Sequence, residues 1–131
     1  MKRFLILVCF LLNVFIFNCQ TTINKSITHH TPEEFQSFLT NDSIQLIDVR
    51  KPSEYSVGHI SNAVNINFLS ENFISNINKL NKEKPVYIYC HSGMRSAKSA
   101  IQFKKAGFVK IYELEGGIVN WEARGLKTTT E

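Results

Sequence analysis

Val86-Tyr-Ile-Tyr-Cys90-His-Ser-Gly-Met-Arg95-Ser96 is the stretch on which the fold turns: an apolar run ends on a cysteine and passes through a short polar loop into a helical pattern. Val86 to Tyr89, four β-forming residues behind Pro85, reads as a buried strand, and the alanines, lysines and apolar spacing from Ser96 to Phe108 read as a helix. Cys90 then sits at the carboxyl end of a strand and faces a helix amino terminus. Backbone N–H groups that lack intrahelical partners, together with the helix dipole, stabilise an anion at such a place. A thiolate nucleophile is the chemistry it favours. A lone cysteine is more usually a small core residue; the polar, glycine-containing loop that follows this one predicts exposure instead.

Working outward, the flanking sequence alternates between strand and helix signals. Ser26-Ile27-Thr28 reads as a short strand, and Thr31-Pro32-Glu33-Glu34 as a helix start with Thr31 as N-cap, whose buried stripe is Phe35, Phe38 and Leu39. Ile44 to Val49 has the near-continuous apolar character of a parallel strand and ends at Asp48 and Arg50. Lys51 to Tyr55 begins a helical turn that stops at Gly58-His59-Ile60, and Ala63 to Ile66 is a brief third strand. Phe68 to Leu80 carries Leu69, Phe73, Ile77 and Leu80 at helical spacing. After the helix that follows Cys90, Gly107 is suited to a left-handed cap, Val109 to Leu114 is a fifth strand, Gly116-Gly117 a tight turn, and Ile118 to Arg124 a last helix. The alternation predicts an α/β fold: a doubly wound, mainly parallel five-stranded sheet with helices on both faces. Ligands of such sheets bind outside the carboxyl ends of the strands, which is where Cys90, the Asp48–Arg50 turn and the Gly116-Gly117 turn fall.

At 131 residues, 44% apolar and 20% charged, the chain has room for one domain of ordinary globular balance. Its first stretch differs: Lys2 and Arg3 precede an apolar run from Phe4 to Phe17 that stops just before Cys19. That is short for a bilayer span and suits the core of a secretion signal. Cys19 directly after the run resembles a bacterial lipoprotein signal, although Ile16-Phe17-Asn18 lacks the usual small residues, and ordinary cleavage nearby or an uncleaved anchor stay open. Residues 1–19 are therefore expected to be a signal, 20–26 a polar tether, 27–126 the domain and 127–131 a frayed tail. An exported, periplasmic protein is expected, touching the membrane only through a lipid on Cys19. Loss of Lys2 and Arg3 with the signal would take two charges from the formal +4. No basic stripe with interleaved aromatics is present, so nucleic acid is not an expected partner. Of the three cysteines, Cys9 lies in the signal and Cys19 at its border, leaving Cys90 as a single free thiol in an oxidising compartment.

The chain resembles a single-domain rhodanese, a member of the rhodanese-like sulfurtransferases, over roughly Ile27 to Leu126. The resemblance is carried by an ordered set: Leu46-Ile47-Asp48-Val49-Arg50, then Glu54-Tyr55, Gly58-His59-Ile60 and Asn62-Ala63, then Tyr89-Cys90-His-Ser-Gly93-Met-Arg95-Ser96, Gly107-Phe108, and Leu114-Glu-Gly116-Gly117 with Trp121. It implies that Cys90 takes the outer sulfur of a donor such as thiosulfate, holds it as a persulfide, and passes it to cyanide or another thiophilic acceptor. The partners are then a small sulfur-containing donor and a thiol acceptor, the protein acts as a monomer, and neither an organic cofactor nor a metal takes part. Converging backbone N–H groups would stabilise both anionic forms of the sulfur. His91, Ser92, Gly93, Met94, Arg95 and Ser96 are the expected substrate-binding loop, with Gly93 allowing its curl and Arg95, permanently charged, attracting a donor's sulfonate or offsetting the thiolate.

Related phosphatases place five residues between cysteine and arginine. Here four separate Cys90 from Arg95, a smaller cradle that suits a persulfide sulfur better than a phosphoryl group, with arsenate reductases of related fold a further alternative. His91 stands where many family members carry arginine. Asp48, Arg50, Glu54 and His59 are expected to be structural near the site, Asp48 and Arg50 in ion pairs or capping, with Glu54 a natural partner for Arg50. His29 and His30 have no cysteine or carboxylate pattern for a metal. A rhodanese-like binding or redox-sensing module is the other function class.

Overall fold

The computed structural model describes residues 26–41 and 44–131, so the expected signal and almost all of the tether lie outside the described residues. In chain order the elements are β1 (Ser26–His30), α1 (Pro32–Phe38), β2 (Gln45–Asp48), α2 (Pro52–Val57), β3 (Val64–Asn65), α3 (Phe73–Ile77), β4 (Val86–Tyr89), α4 (Met94–Ala106), β5 (Lys110–Leu114) and α5 (Gly117–Ala123). The strands form one sheet in the order β1-β5-β4-β2-β3, and every pairing is parallel. β4, the strand that leads into Cys90, is the central one.

Strand side chains alternate between faces, so a buried two-sided sheet must be apolar at every position. β4 does this: Val86 and Ile88 join one core with Ile47, Val49, Phe73, Ile77, Ala100, Phe103 and Ile111. Tyr87 and Tyr89 join a second core with Phe35, Leu46, Ile118 and Trp121. α3 and α4 cover the first face, and α1 and α5 the second, as the doubly wound pattern requires. Cys90 lies on the α3–α4 face. The start of α1 follows from its capping residues: Thr31 Oγ1 accepts from the Glu34 N–H at 3.3 Å, and Glu34 accepts from the Thr31 N–H at 3.0 Å.

Three elements depart from expectation. The helix expected over Phe68–Leu80 shrinks to Phe73–Ile77 because side chains take the amides a helix would use. Asn67 Oδ1 accepts from the Leu69 N–H and Ser70 Oγ from the Asn72 N–H, and Leu69 is left 58% exposed. Phe38, expected in the buried stripe of α1, is 41% exposed, since among the described residues β1 is the sheet edge and no further strand covers that side; its ring lies parallel to Tyr112. The segment after Leu126, expected to fray, is docked. Thr129 exchanges two backbone hydrogen bonds with His59, both 2.8 Å, and Trp121 Nε1 donates to Lys127 O at 3.0 Å.

Candidate active site

Cys90 leaves β4 at its carboxyl end, and its sulfur is enclosed by the loop that follows. Cys90 is 1% exposed, which corrects the expectation of an exposed thiol. The polar His91 and Ser92 face solvent, as does the apolar Met94, but the loop curls with the sulfur inside it. Gly93, at φ +112°, makes the curl and donates its N–H to Cys90 Sγ at 3.1 Å. The thiol in turn donates to Ser96 Oγ at 3.6 Å, and the Ser96 hydroxyl donates to Gly93 O at 3.0 Å. The 13-residue α4 starts at Met94, so its positive dipole end is part of the same enclosure. The first turn of α5 holds the loop from behind: Ile118 N–H donates to Cys90 O at 2.9 Å and Val119 N–H to His91 O at 3.2 Å. With the Cys90 and His91 carbonyls tied back to α5, the Gly93 N–H is the backbone group that reaches the sulfur.

Arg95 emerges from the first turn of α4 and forms a two-pronged ion pair with Glu54 of α2, Nη1 to Oε2 at 2.7 Å and Nη2 to Oε1 at 2.8 Å. Glu54 also accepts from the Lys51 N–H at 3.0 Å. The Arg95 hydrogen bonds, opposed by burial, hold the Glu54 carboxyl at about 2, down from 4.5. Glu54 in turn raises the Arg95 pKa against burial, with the charges of Cys90 and Asp48 adding to it. The sign of the linkage follows from the lowered carboxyl: its stabilisation is complete above about 4.5 and is lost as pH falls towards 2. Wild-type stability is therefore expected to fall more steeply over that window than that of Glu54→Gln, as read by denaturant titrations followed through Trp121 fluorescence.

Glu54 thus hydrogen-bonds Arg95, and its expected partner Arg50 feels it only through a longer-range charge attraction. Arg50 instead turns back on its own strand end, where Asp48 is closer and equally buried. Asp48 accepts from the Arg50 N–H at 2.9 Å, from Nε at 3.0 Å and from Nη2 at 2.7 Å. The remaining reach of Nη2 goes to Gly58 O at 2.6 Å, which ties the end of β2 to the end of α2. Burial works against the Arg50 charge, but Asp48 outweighs it and the pKa is raised. His59 stacks on Tyr55, ring centroids 3.7 Å apart, with its ring nitrogens on Tyr55 O and Glu131 O, away from the sulfur.

Two buried groups near the cysteine were not singled out from sequence. Tyr89 precedes Cys90 on the opposite face; its hydroxyl accepts from the Ile60 N–H at 3.0 Å, and burial raises its pKa. Glu113, in β5 beside Ile88 of β4, is 3% exposed. The sequence signal for it was present: in Lys110-Ile-Tyr-Glu-Leu114 the glutamate shares a face with Ile111, so a central strand carries a carboxyl into the core. Among the described residues no cluster of three or more histidine, cysteine or acidic side chains is arranged to hold a metal ion. None of the helices there is long and apolar enough to cross a membrane.

The family profile described as Rhodanese-like domain matches residues 31–124. A tRNA uridine(34) hydroxylase of Pelagibacter ubique is 34% identical over 99 residues, covering 75% of this chain and 33% of that protein. The "Probable adenylyltransferase/sulfurtransferase MoeZ" of Mycobacterium tuberculosis is 38% identical over 92 residues, covering 70% of this chain and 24% of that protein. The chain thus spans about a third or less of the length of these two relatives. Among solved structures, a rhodanese-related protein of Thermoplasma volcanium superposes with a TM-score of 0.68 at 26% identity, covering 79% of this chain and 99% of that one. The match runs from the cap of α1 to the end of α5 and includes the cysteine loop and the turn that braces it, and this chain belongs to the rhodanese-like domain family.

Proposed function

We propose that the protein moves sulfane sulfur from thiosulfate or a persulfide donor to a thiol acceptor through a persulfide on Cys90. The observation that carries this reading is the enclosure of Cys90 Sγ, which accepts the Gly93 N–H at 3.1 Å at the start of α4. In the loading step the Cys90 thiolate attacks the outer sulfur of the donor, the donor's S–S bond breaks, and sulfite or a thiolate leaves with the electron pair. In the second step an acceptor thiolate attacks the outer sulfur, and the Cys90 Sγ–S bond breaks with its pair returning to Sγ. Charge rests on sulfur at the loop in both steps, where fixed N–H dipoles stabilise it without reorganising.

The tight enclosure also bears on the transferred group. A sulfur atom enters a four-residue loop that already closes on Sγ, whereas a phosphoryl group brings three further oxygens. The donor side is shaped by Arg95, whose guanidinium is occupied by Glu54. This favours a persulfide donor over thiosulfate, whose two charges need free cations. The sulfurtransferase named in one relative supports the reaction class. The apolar run before Cys19 supports export and lipid attachment, and a monomer completes the proposal.

Intact-mass measurement after incubation with a low-molecular-weight persulfide, polysulfide or thiosulfate tests the reading. One added sulfur atom, removable by a thiol, is expected, with the persulfide loading fastest. Failure of all three donors to load Cys90 would sink it in favour of a binding or redox-sensing module. Arylphosphate turnover is not expected.

A further inference from the structure

The strands of the sheet are parallel, so their amino ends share one edge and the Cys90 loop lies at the other. α4 runs from that loop back to the amino edge, and its 13 residues set the two ends about 20 Å apart. Two segments meet at the amino edge, and both are basic. Residues 78–85 carry Lys79, Lys82 and Lys84, and residues 104–110 carry Lys104, Lys105 and Lys110, against the one carboxylate of Glu83. The Val109 N–H donates to Lys82 O at 3.2 Å, and a Cβ on Gly107 would stand 3.8 Å from Lys82 Cδ, so the two groups of lysines are neighbours. Lys79 and Lys82 donate to asparagine side chains, and among the described residues none of the six forms an ion pair. Lys104 and Lys105 suit the negative end of α4, but Lys82, Lys84 and Lys110 are not on that helix. At the Cys90 end the arginines are matched instead, Arg50 by Asp48 and Arg95 by Glu54.

The chain enters the domain at the same edge. Ser26 opens β1 and is the register partner of Lys110. Residues 20–25 separate it from Cys19, a stretch that reaches at most about 20 Å when fully extended. We infer that the lysine edge is a docking surface for an anionic lipid bilayer, on which the domain stands with the Cys90 loop pointing away. The inference rests on the proposed lipid at Cys19 and is independent of sulfur transfer. A tether this short makes contact with the bilayer intramolecular, so individually weak attractions are enough to orient the domain. Each lysine at an anionic surface strengthens association by about fivefold. That field fades within about 10 Å at moderate salt, so it acts on the edge that meets the bilayer and not on the ion pairs at the far end. The anchor keeps the domain near the lipid, and the charge selects which edge faces it. The sulfur then opens to the aqueous side, where a thiol acceptor reaches it.

The test is lysine footprinting of the full-length protein on two kinds of vesicle. One is phosphatidylcholine alone, and the other contains about a third phosphatidylglycerol, the anionic component. Lysines are acetylated in each and the rates read by peptide mass spectrometry. On the anionic vesicles Lys84, Lys104, Lys105 and Lys110 are expected to label about fivefold more slowly than on the neutral ones. Lys51, the N-cap of α2 at the opposite edge, should label equally on both. The protection should vanish at about 0.5 M salt, where screening shortens the field to a few ångströms. Lys104→Glu combined with Lys110→Glu should also remove it from Lys84 and Lys105; both positions are exposed, so the core is untouched. Equal labelling of the amino-edge lysines on the two vesicles, or equal protection of Lys51, would overturn the inference, and the wild type alone decides either. Sedimentation at the high salt separates docking from the anchor. Protein that stays with the vesicles there but shows no protection at low salt is anchored without docking, which overturns the surface. Protein that leaves the vesicles there yet shows the protection at low salt supports the surface and removes the anchor.

Discussion

Cys90→Ser is expected to lower sulfur-transfer turnover by at least about a thousandfold, since the nucleophile of a covalent mechanism has no substitute. The hydroxyl that replaces the thiol does not ionise near neutral pH and cannot hold an outer sulfur as a persulfide. The fold should survive, because the substituted atom meets the same two partners, the Gly93 N–H and the Ser96 hydroxyl. Cys90 is also fully buried, and an oxygen there remains hydrogen-bonded where an alanine would leave the Gly93 N–H without its acceptor. The check is paired: steady-state transfer from a persulfide to a thiol, and the thermal midpoint of each protein. Retained turnover in the serine variant would remove Cys90 from the reaction, whatever the fate of the fold.

Gly117→Ala is expected to cost about 2–5 kcal/mol of stability and to disable the cysteine loop at the same time, the sum of a left-handed backbone and an overpacked contact. Gly117 has φ +64°, and a Cβ placed on it would stand 2.7 Å from Cys90 O and closer still to the His91 carbonyl. Those two carbonyls are the ones that α5 ties back, through Ile118 and Val119. The methyl group would therefore push the loop off the amides that orient it, and the sulfur would lose its alignment with Gly93. Gly125→Ala is the control: it has a similar φ of +73° with nothing within 4 Å, so only the backbone cost of about 1 kcal/mol applies. Chemical denaturation of the two variants should separate them clearly, and sulfur transfer should fall in Gly117→Ala alone. Equal stability in both would show that the loop yields to the methyl group without strain.

The predictions differ in how far they could have been read from the chain before its fold was known. Cys90 was legible because its surroundings are local: four β-formers before it and a glycine loop with a helix after it are contiguous in sequence. The parallel, doubly wound sheet was legible for the same reason, since each strand–helix unit declares itself within about thirty residues. Phe68–Leu80 misled because apolar spacing says nothing of whether Asn67 and Ser70 will compete for the backbone amides.

Contacts between distant segments are a different matter. Glu54 was assigned to Arg50, four residues away, yet it reaches Arg95, which lies 41 residues on. An ion pair forms where burial and geometry place the charges, and sequence proximity is a weak guide to either. The same holds for Thr129 against His59 and for Gly117 against the Cys90 carbonyl. By itself the sequence determined the order of the elements, the cysteine at the end of the central strand and the reach of its loop, because hydrophobic periodicity and turn chemistry act over a few residues. Only the tertiary structure decided that the sulfur is enclosed, that Arg95 is engaged by Glu54 and that the first turn of α5 braces the loop. Those depend on which side chains two separate strands and a helix bring to one point, and the periodicity of no one segment encodes that.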